Sequence, residues 1–328
     1  MEERYTRQEA VIGKENQKKL SQSKVAVIGL GATGSVAAEM LARAGVGDIL
    51  IVDRDGVESS NLSRQTLYTE QDIGKEKALT ARERLKQINS LIKITALAVS
   101  LDSGNIESVL GKRINLIFDC TDNLETRFLL NEFCRKNNIS AVFCGVAGMK
   151  GFVLPVEREF CFNCVFMYAK EALTCSGEGI LGATVHLAAS LQVKEGLDIL
   201  LNKKGGKLIL FDLEKEDIEK IKVRKNPACL VCQSQFYCLD EKEKKKSSYT
   251  IKKCKTRAAF SVRFNKKIDL SKIKKRYKVL LETPLLLVVE KDGAEMIVHQ
   301  YGEVIFKKAR DYSQIEKLAE EIYFLGYS

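Results

Sequence analysis

"VAVIGLGATG", residues 25–34, joins a short apolar, β-branched run to a glycine-rich turn. The run reads as a buried strand. Gly29, Gly31 and Gly34 follow with Gly-x-Gly-x-x-Gly spacing, and a helical pattern takes over at 33–45. Glycines let a backbone turn tightly and approach a phosphate, while a helix start supplies free N–H donors and the positive end of its dipole. Asp53 lies 19 residues after Gly34, at the tip of the next strand, where a carboxylate can accept ribose hydroxyls. That turn and that acid serve NAD and ATP equally well, so they set a fold class without setting a chemistry.

Working outward, short β-branched runs at 24–28, 48–53, 92–99, 114–119 and 141–146 alternate with helical patterns at 33–45, 75–89, 104–111 and 124–137. Strands alternating with helices predict a Rossmann-like, doubly wound α/β fold with a mostly parallel sheet. Ligands in such sheets sit at the carboxyl ends of the strands, where Gly29, Asp53 and the run Asp119-Cys120-Thr121-Asp122 are all expected. A strand at 152–156, a helix near 183–202 and a strand at 207–212 continue the domain to about residue 240. The Lys-rich stretch 241–256 reads as a basic linker. Residues 257–328 read as a small C-terminal α/β domain: strand 258–264, helix 270–276, strands 278–282, 285–290, 294–299 and 303–307, then helix 312–325, with a hairpin turn at 300–303.

The chain has 328 residues, 45% of them hydrophobic and 29% charged, which is ordinary for a globular protein. Charges run through the first twenty residues, so no signal peptide is expected. The longest apolar run, 284–289, is too short to cross a bilayer. These features predict a cytoplasmic protein without membrane contact, whose ten cysteines serve metal binding or catalysis rather than disulfides. The net charge of +10 is uneven: residues 241–280 carry 16 Lys or Arg against Glu241, Glu243 and Asp269. Such a stretch is either a solvated face or a docking surface for an acidic protein or RNA.

"DRDGVESSNLSRQ", 53–65, narrows the chemistry. A dehydrogenase has no need of Asn61, Arg64 and Gln65 just past the ribose-binding acid. A triphosphate does, because Arg and amide donors offset charge as pyrophosphate departs. Lys77 opens the next helix within reach of the same phosphates. Asp122 offers the hard oxygen that Mg2+ prefers beside phosphates and water. His186 and His299, the two histidines, sit in no nucleophile–base pattern, and a Ser-His-Asp hydrolase is excluded.

"YTRQ" (5–8), "LARAGVGDILIVDRDGVESSNLSRQ" (41–65), "GKEKA" (74–78) and "DCTDN" (119–123) resemble the signature blocks of the ThiF/MoeB/HesA family, relatives of ubiquitin-activating enzymes. The resemblance runs from residue 5 to about 235. It implies ATP–Mg2+ binding and adenylation of the C-terminal Gly-Gly carboxylate of a ubiquitin-like sulfur carrier. By position it assigns the nucleotide to Gly29, Gly31, Ala32, Gly34, Asp53 and Asp55, then to Ser60, Asn61, Arg64, Gln65 and Lys77, and finally to Asp122 and Asn123. Many members have paired glycines in the turn where this chain has Ala32. Arg64, Lys77 and Asp122 would be catalytic, with Arg7 lent to the neighbouring subunit of a homodimer. The resemblance also implies a sulfurtransferase or cysteine desulfurase as a further partner. The final "LGYS" lacks Gly-Gly, so the carrier is expected to be a separate chain.

"CFNC" (161–164) and "CLVC" (229–232) are two Cys-x-x-Cys pairs, about 65 residues apart. Four thiolates at such spacing suit a closed, structural Zn2+ site, with Cys161, Cys164, Cys229 and Cys232 as ligands. Cys175, in "LTCSGEGILGA", sits among small residues that permit exposure. The resemblance puts there the cysteine that takes up activated carrier or sulfur in many members, against a spectator role. The alternatives to adenylation of a carrier are a tRNA-modifying dehydratase of the same family, a catalytically silent partner subunit and an NAD-dependent dehydrogenase. The paired cysteines argue against the first, intact Arg64, Lys77 and Asp122 against the second, and the arginines against the third.

Overall fold

A computed structural model of the chain describes residues 3–111, 113–166, 179–203, 206–240, 249–253, 260–264, 268–283, 286–300, 302–309 and 311–327. The chain forms two compact units, residues 1–73 with 77–242 and residues 74–76 with 243–328.

The first unit opens with α1 (Thr6–Ile12), α2 (Lys14–Gln22), β1 (Lys24–Ile28), α3 (Ala32–Ala44) and β2 (Asp48–Val52). It continues with α4 (Lys77–Ile88), β3 (Lys93–Leu97), α5 (Ile106–Leu110), β4 (Leu116–Asp119), α6 (Leu124–Asn137) and β5 (Ser140–Ala147). Then follow β6 (Lys150–Val156), α7 (Phe162–Phe166), α8 (Gly182–Leu200), β7 (Lys207–Asp212), β8 (Asp217–Lys222) and α9 (Tyr237–Asp240). One eight-stranded sheet runs in the order β3-β2-β1-β4-β5-β6-β7-β8. It is parallel from β3 to β5 and antiparallel from β5 to β8. The expected mostly parallel, doubly wound architecture is therefore present.

The strand order turns back between β1 and β4, which pair as Ile28↔Asp119, while β1 and β2 pair as Ile28↔Val52. Gly29, Asp53 and Cys120 thus leave three neighbouring strands at the same level, where a doubly wound sheet opens a crevice. Alternation along the central strands supplies both cores. Val25, Val27, Ile49 and Ile51 bury one face of the sheet with Ala37, Leu41 and Ala188. Ala26, Ile28, Leu50 and Val52 bury the other with Leu130, Phe133 and Phe162. Each buried Val, Leu, Ile or Phe among these contributes about 1.5–3 kcal/mol on burial.

Two of the turn glycines are required by packing. Gly29 has φ 86°, and a Cβ there would lie 2.6 Å from the Cys120 carbonyl oxygen. A Cβ on Gly34 would lie 1.9 Å from the Gly29 carbonyl oxygen, so nothing larger lets α3 start beneath the turn. At its C-terminal end α6 closes on Asn138 in the left-handed conformation.

Sequence reading passes over β8. Asp217–Lys222 is exposed at every residue, and its pairing with β7 comes from the sheet rather than from an apolar pattern of its own.

The second unit has one antiparallel sheet in the order β11-β12-β13-β14-β10-β9, built from β9 (Tyr249–Lys253), β10 (Phe260–Phe264), β11 (Lys278–Glu282), β12 (Leu286–Lys291), β13 (Ala294–His299) and β14 (Glu303–Lys308). Helices α10 (Leu270–Lys274) and α11 (Tyr312–Tyr327) complete it. Val262, Phe264, Leu287, Val289, Met296, Val298, Val304 and Phe306 form its core with Ile315, Leu318 and Ile322 of α11. Strand β9 lies inside the stretch expected to be a linker, so the unit begins before residue 257. No helix among the described residues is long and apolar enough to cross a membrane.

Candidate functional site

The glycine turn is tied to its surroundings by hydrogen bonds from both sides. Leu30 N–H donates to Asp53 Oδ2 at 2.6 Å, and Asp55 N–H donates to Oδ1 at 2.7 Å. Tyr68 Oη, buried beneath, donates to the Leu30 carbonyl at 3.0 Å. Burial raises the Asp53 pKa to about 6, Asp55 adds to the rise, and Lys77 opposes it. The same burial, with Asp53, Asp72 and Asp55 nearby, raises the Tyr68 pKa well above its ordinary value and keeps it a donor.

Gly31 differs from the other two glycines of the turn. A Cβ there would have Gln65 Nε2 at 3.7 Å and no other heavy atom of the described residues within 4 Å. No packing demand of the described residues excludes a side chain, so Gly31 leaves a place for an approaching ligand at the N-terminus of α3. Asn61 and Gln65 are buried, and Asn61 Oδ1 and Gln65 Oε1 have no hydrogen-bond partner among the described residues. Buried polar atoms without partners are uncommon and mark a place where a ligand or water completes the bonding. Lys77 is buried to 6% exposure, its backbone N–H donating to the Asp55 carbonyl at 2.9 Å. Gln65 approaches the Gly31 position, and Lys77 lies near enough to Asp53 for its charge to act on it.

The other expected residues are engaged in varied ways. Ala32 is simply the first residue of α3. Asp55 lies beside Arg54 Nε at 3.4 Å. The Ser60 carbonyl accepts from Arg64 Nη1 at 2.8 Å, which folds Arg64 back on its own loop. Asn123 caps α6, accepting from Thr126 N–H at 2.9 Å, so its side chain holds a helix. Asp122, next to it, is exposed. Arg7 is exposed on α1 and makes no hydrogen bond or ion pair among the described residues. Its neighbours fix the arm: Tyr5 Oη accepts from Asn89 at 2.9 Å, and Gln8 donates to the Ala44 carbonyl at 2.8 Å. Cys175 lies outside the described residues. His186 is engaged with the Gly182 carbonyl at 2.8 Å.

Residues that sequence reading missed hold the 119–123 loop. Asp119 is fully buried, and Arg127 Nε stands 3.2 Å from its Oδ2, an ion pair whose angles fall short of a hydrogen bond. Burial raises the Asp119 pKa, opposed by Arg127 and by bonds from Thr121. Gln192 of α8 donates to the Asp119 and Val142 carbonyls, both at 2.9 Å. A lone amide in the apolar run of α8, and an arginine four residues after Asn123, were the available signals.

The two Cys-x-x-Cys pairs come together. The Sγ atoms of Cys161, Cys164, Cys229 and Cys232 all lie within 4.8 Å of one another. The shorter separations are 3.5 Å for Cys161–Cys229 and Cys164–Cys232, and 3.9 Å for Cys161–Cys164. Zn–S bonds of about 2.3 Å in a tetrahedron put sulfurs about 3.8 Å apart, so the donor set fits the ion.

Compared with known proteins, residues 5–231 match the ThiF family. The chain is 31% identical over 334 residues to the sulfur carrier protein ThiS adenylyltransferase of Bacillus subtilis, covering 96% of this chain and 97% of that protein. It is 34% identical over 245 residues to the sulfur carrier protein adenylyltransferase of Thermus thermophilus, covering 70% of this chain and 90% of that one. Among solved structures, E. coli MccB with ATP shares the fold at a TM-score of 0.63 and 22% identity, over 70% of this chain and 74% of that one. Resemblance was expected to stop near residue 235. The family match does stop there, but similarity to the Bacillus protein spans nearly the whole chain, second unit included.

Proposed function

The chain belongs to the ThiF family, and from that premise we propose that it uses ATP to adenylate the C-terminal carboxylate of a separate ubiquitin-like sulfur carrier. The observation that carries this reading is the full-length similarity to a ThiS adenylyltransferase, in a chain that has a phosphate-type glycine turn, two buried amide oxygens without partners among the described residues and a buried lysine. A carboxylate oxygen of the carrier attacks the α-phosphorus of ATP. The bond to the β-phosphate oxygen breaks, and pyrophosphate leaves with the electron pair. No general base is needed, because a carboxylate is already nucleophilic at neutral pH. The protein's part is positioning and charge compensation.

In this reading the Gly31 backbone and the N-terminus of α3 receive phosphate, and Asp53 accepts from ribose hydroxyls. Asn61 and Gln65 complete their bonding on the nucleotide. Lys77 and Arg64 offset negative charge on the departing pyrophosphate. Asp122 would hold Mg2+, which would supply charge neutralisation at the phosphates. Zn2+ on the four cysteines would be structural, joining α7 to the 226–233 turn. Arg7, on its fixed arm, would enter the site of a second copy in a homodimer. Sulfur would then reach the adenylated carrier from a sulfurtransferase or cysteine desulfurase, with Cys175 as the candidate thiol.

The test is ATP–pyrophosphate exchange with purified sulfur carriers, run beside the same assay with tRNA. Exchange that requires a carrier ending in Gly-Gly supports the reading. Exchange driven by tRNA alone would contradict it and revive the dehydratase.

A further inference from the structure

Arg127 is buried in the first unit, and its guanidinium joins the 119–123 loop to strand β5. One nitrogen, Nη2, donates to the Thr121 carbonyl at 2.5 Å and to the Cys144 carbonyl at 2.7 Å. Nε faces Asp119 at 3.2 Å, and the cation stands 5.5 Å from the centre of the Phe152 ring. Gly145 leaves room for the group and for the Phe152 ring: a Cβ there would lie 2.4 Å from Phe152 Cε1 and 2.9 Å from Arg127 Nη1. Thr121 Oγ1 donates to Asp119 Oδ1 at 2.6 Å, and Asn123 caps the helix that carries Arg127. The backbone on both sides of Asp122 is therefore anchored, at Thr121 by the guanidinium and at Asn123 by the cap. Asp122 itself is exposed at the strand ends.

We propose that Arg127 is a positioning residue for nucleotide activation: by gripping the Thr121 carbonyl it holds the Asp122 carboxylate where a metal–nucleotide complex can use it. The inference rests on the reading of Asp122 as the ligand of the nucleotide's Mg2+. A planar fork is required, because one ammonium cannot satisfy Asp119 and two carbonyls in the same directions. Arg127 touches neither substrate nor metal. It acts through the loop.

The readout is the metal dependence of ATP binding rather than turnover. Calorimetry on the full chain gives the factor by which Mg2+ strengthens ATP binding, measured against binding in EDTA. Wild type should show a gain of about tenfold or more, within the usual range of coupling between two ligands. Arg127→Lys keeps the charge and loses the fork, so the gain should fall below about threefold while binding in EDTA stays within about twofold. Gly145→Ala crowds the guanidinium and the Phe152 ring under it without deleting either, and should reduce the gain in the same way if the lysine variant does not fold. Asp122→Asn, run alongside, separates the premises. If Asp122→Asn loses the gain and the Arg127 and Gly145 variants keep it, Arg127 is a core residue only and the inference is overturned. If Asp122→Asn itself keeps the full gain, the metal reading of Asp122 fails and the inference falls with it. Equal loss of binding with and without Mg2+ in the Arg127 and Gly145 variants would also overturn the inference, since that reports a collapsed site.

Discussion

At the strand ends of the first unit, Asn61, Gln65 and Lys77 are buried, and two amide oxygens there find no partner among the described residues. The charges of the second unit instead meet one another near its surface: Lys274 with Glu282 at 2.5 Å, Lys278 with Glu290 and Lys307 with Glu295 at 3.0 Å, and Lys291 with Glu321. Leaving a buried polar atom unpaired costs about 1–3 kcal/mol, so it persists where a ligand completes the bond. Surface ion pairs contribute only about 0–1 kcal/mol and imply no ligand. Under the proposed function the chemistry belongs to the first unit, and the second would support or recruit.

The sharpest way to break that contrast is Asp122→Ala. Removing the carboxylate proposed to hold Mg2+ should raise the barrier by several kcal/mol, roughly a thousandfold loss of pyrophosphate exchange, with circular dichroism unchanged. Exchange within about tenfold of wild type would take the metal role away from Asp122. Next in size is the cysteine cluster. Metal analysis should find about one Zn per chain, and the double change Cys229→Ser with Cys232→Ser should remove it and lower the melting temperature by about 10 °C. An unchanged melting temperature in metal-free protein would make the cluster incidental.

Asp53 gives a smaller, pH-dependent effect. Its folded pKa is raised to about 6, so the unfolded chain gives up this proton first, and the group's contribution to stability falls as pH rises from about 4 to about 6. Nucleotide binding has the opposite sign, because the carboxylate is the form that accepts ribose hydroxyls. Affinity should drop about tenfold per pH unit below about pH 6, and Asp53→Asn should flatten the curve. A pH-independent affinity in wild type would remove Asp53 from the ribose site.

The smallest effect belongs to the second unit. Truncation after Leu239 should leave ATP binding intact and slow carrier-dependent turnover a few-fold at low salt, a difference that fades above roughly 0.15 M as charge steering is screened. Loss of ATP binding on truncation would show that the nucleotide site needs the second unit.

Much of this was legible in the sequence because it is local. Helix α6 at 124–137 and strand β7 at 207–212 match their sequence-based bounds, since periodicity and flanking polar residues define both. The glycine turn and the cysteine pairs are likewise legible by spacing. What escaped depends on distant partners. Strand β8 exists only because β7 pairs with it, and β9 is an edge strand hidden by its lysines. Arg127 and Gln192 act on carbonyls that no spacing brings near them. Asn123 shows the converse: a residue in the right motif whose side chain is taken by a helix cap.

In the proposed function, the first unit forms an acyl-adenylate on the carrier's own C-terminus. Intact-mass spectrometry of a sulfur carrier, after incubation with the full chain, ATP and Mg2+, tests this directly. The account predicts one AMP added to the carrier, labile to hydroxylamine, absent when the terminal glycine is deleted and absent with the Asp122→Ala protein. An unmodified carrier beside ATP consumption, or an AMP adduct that survives deletion of the terminal glycine, would contradict it.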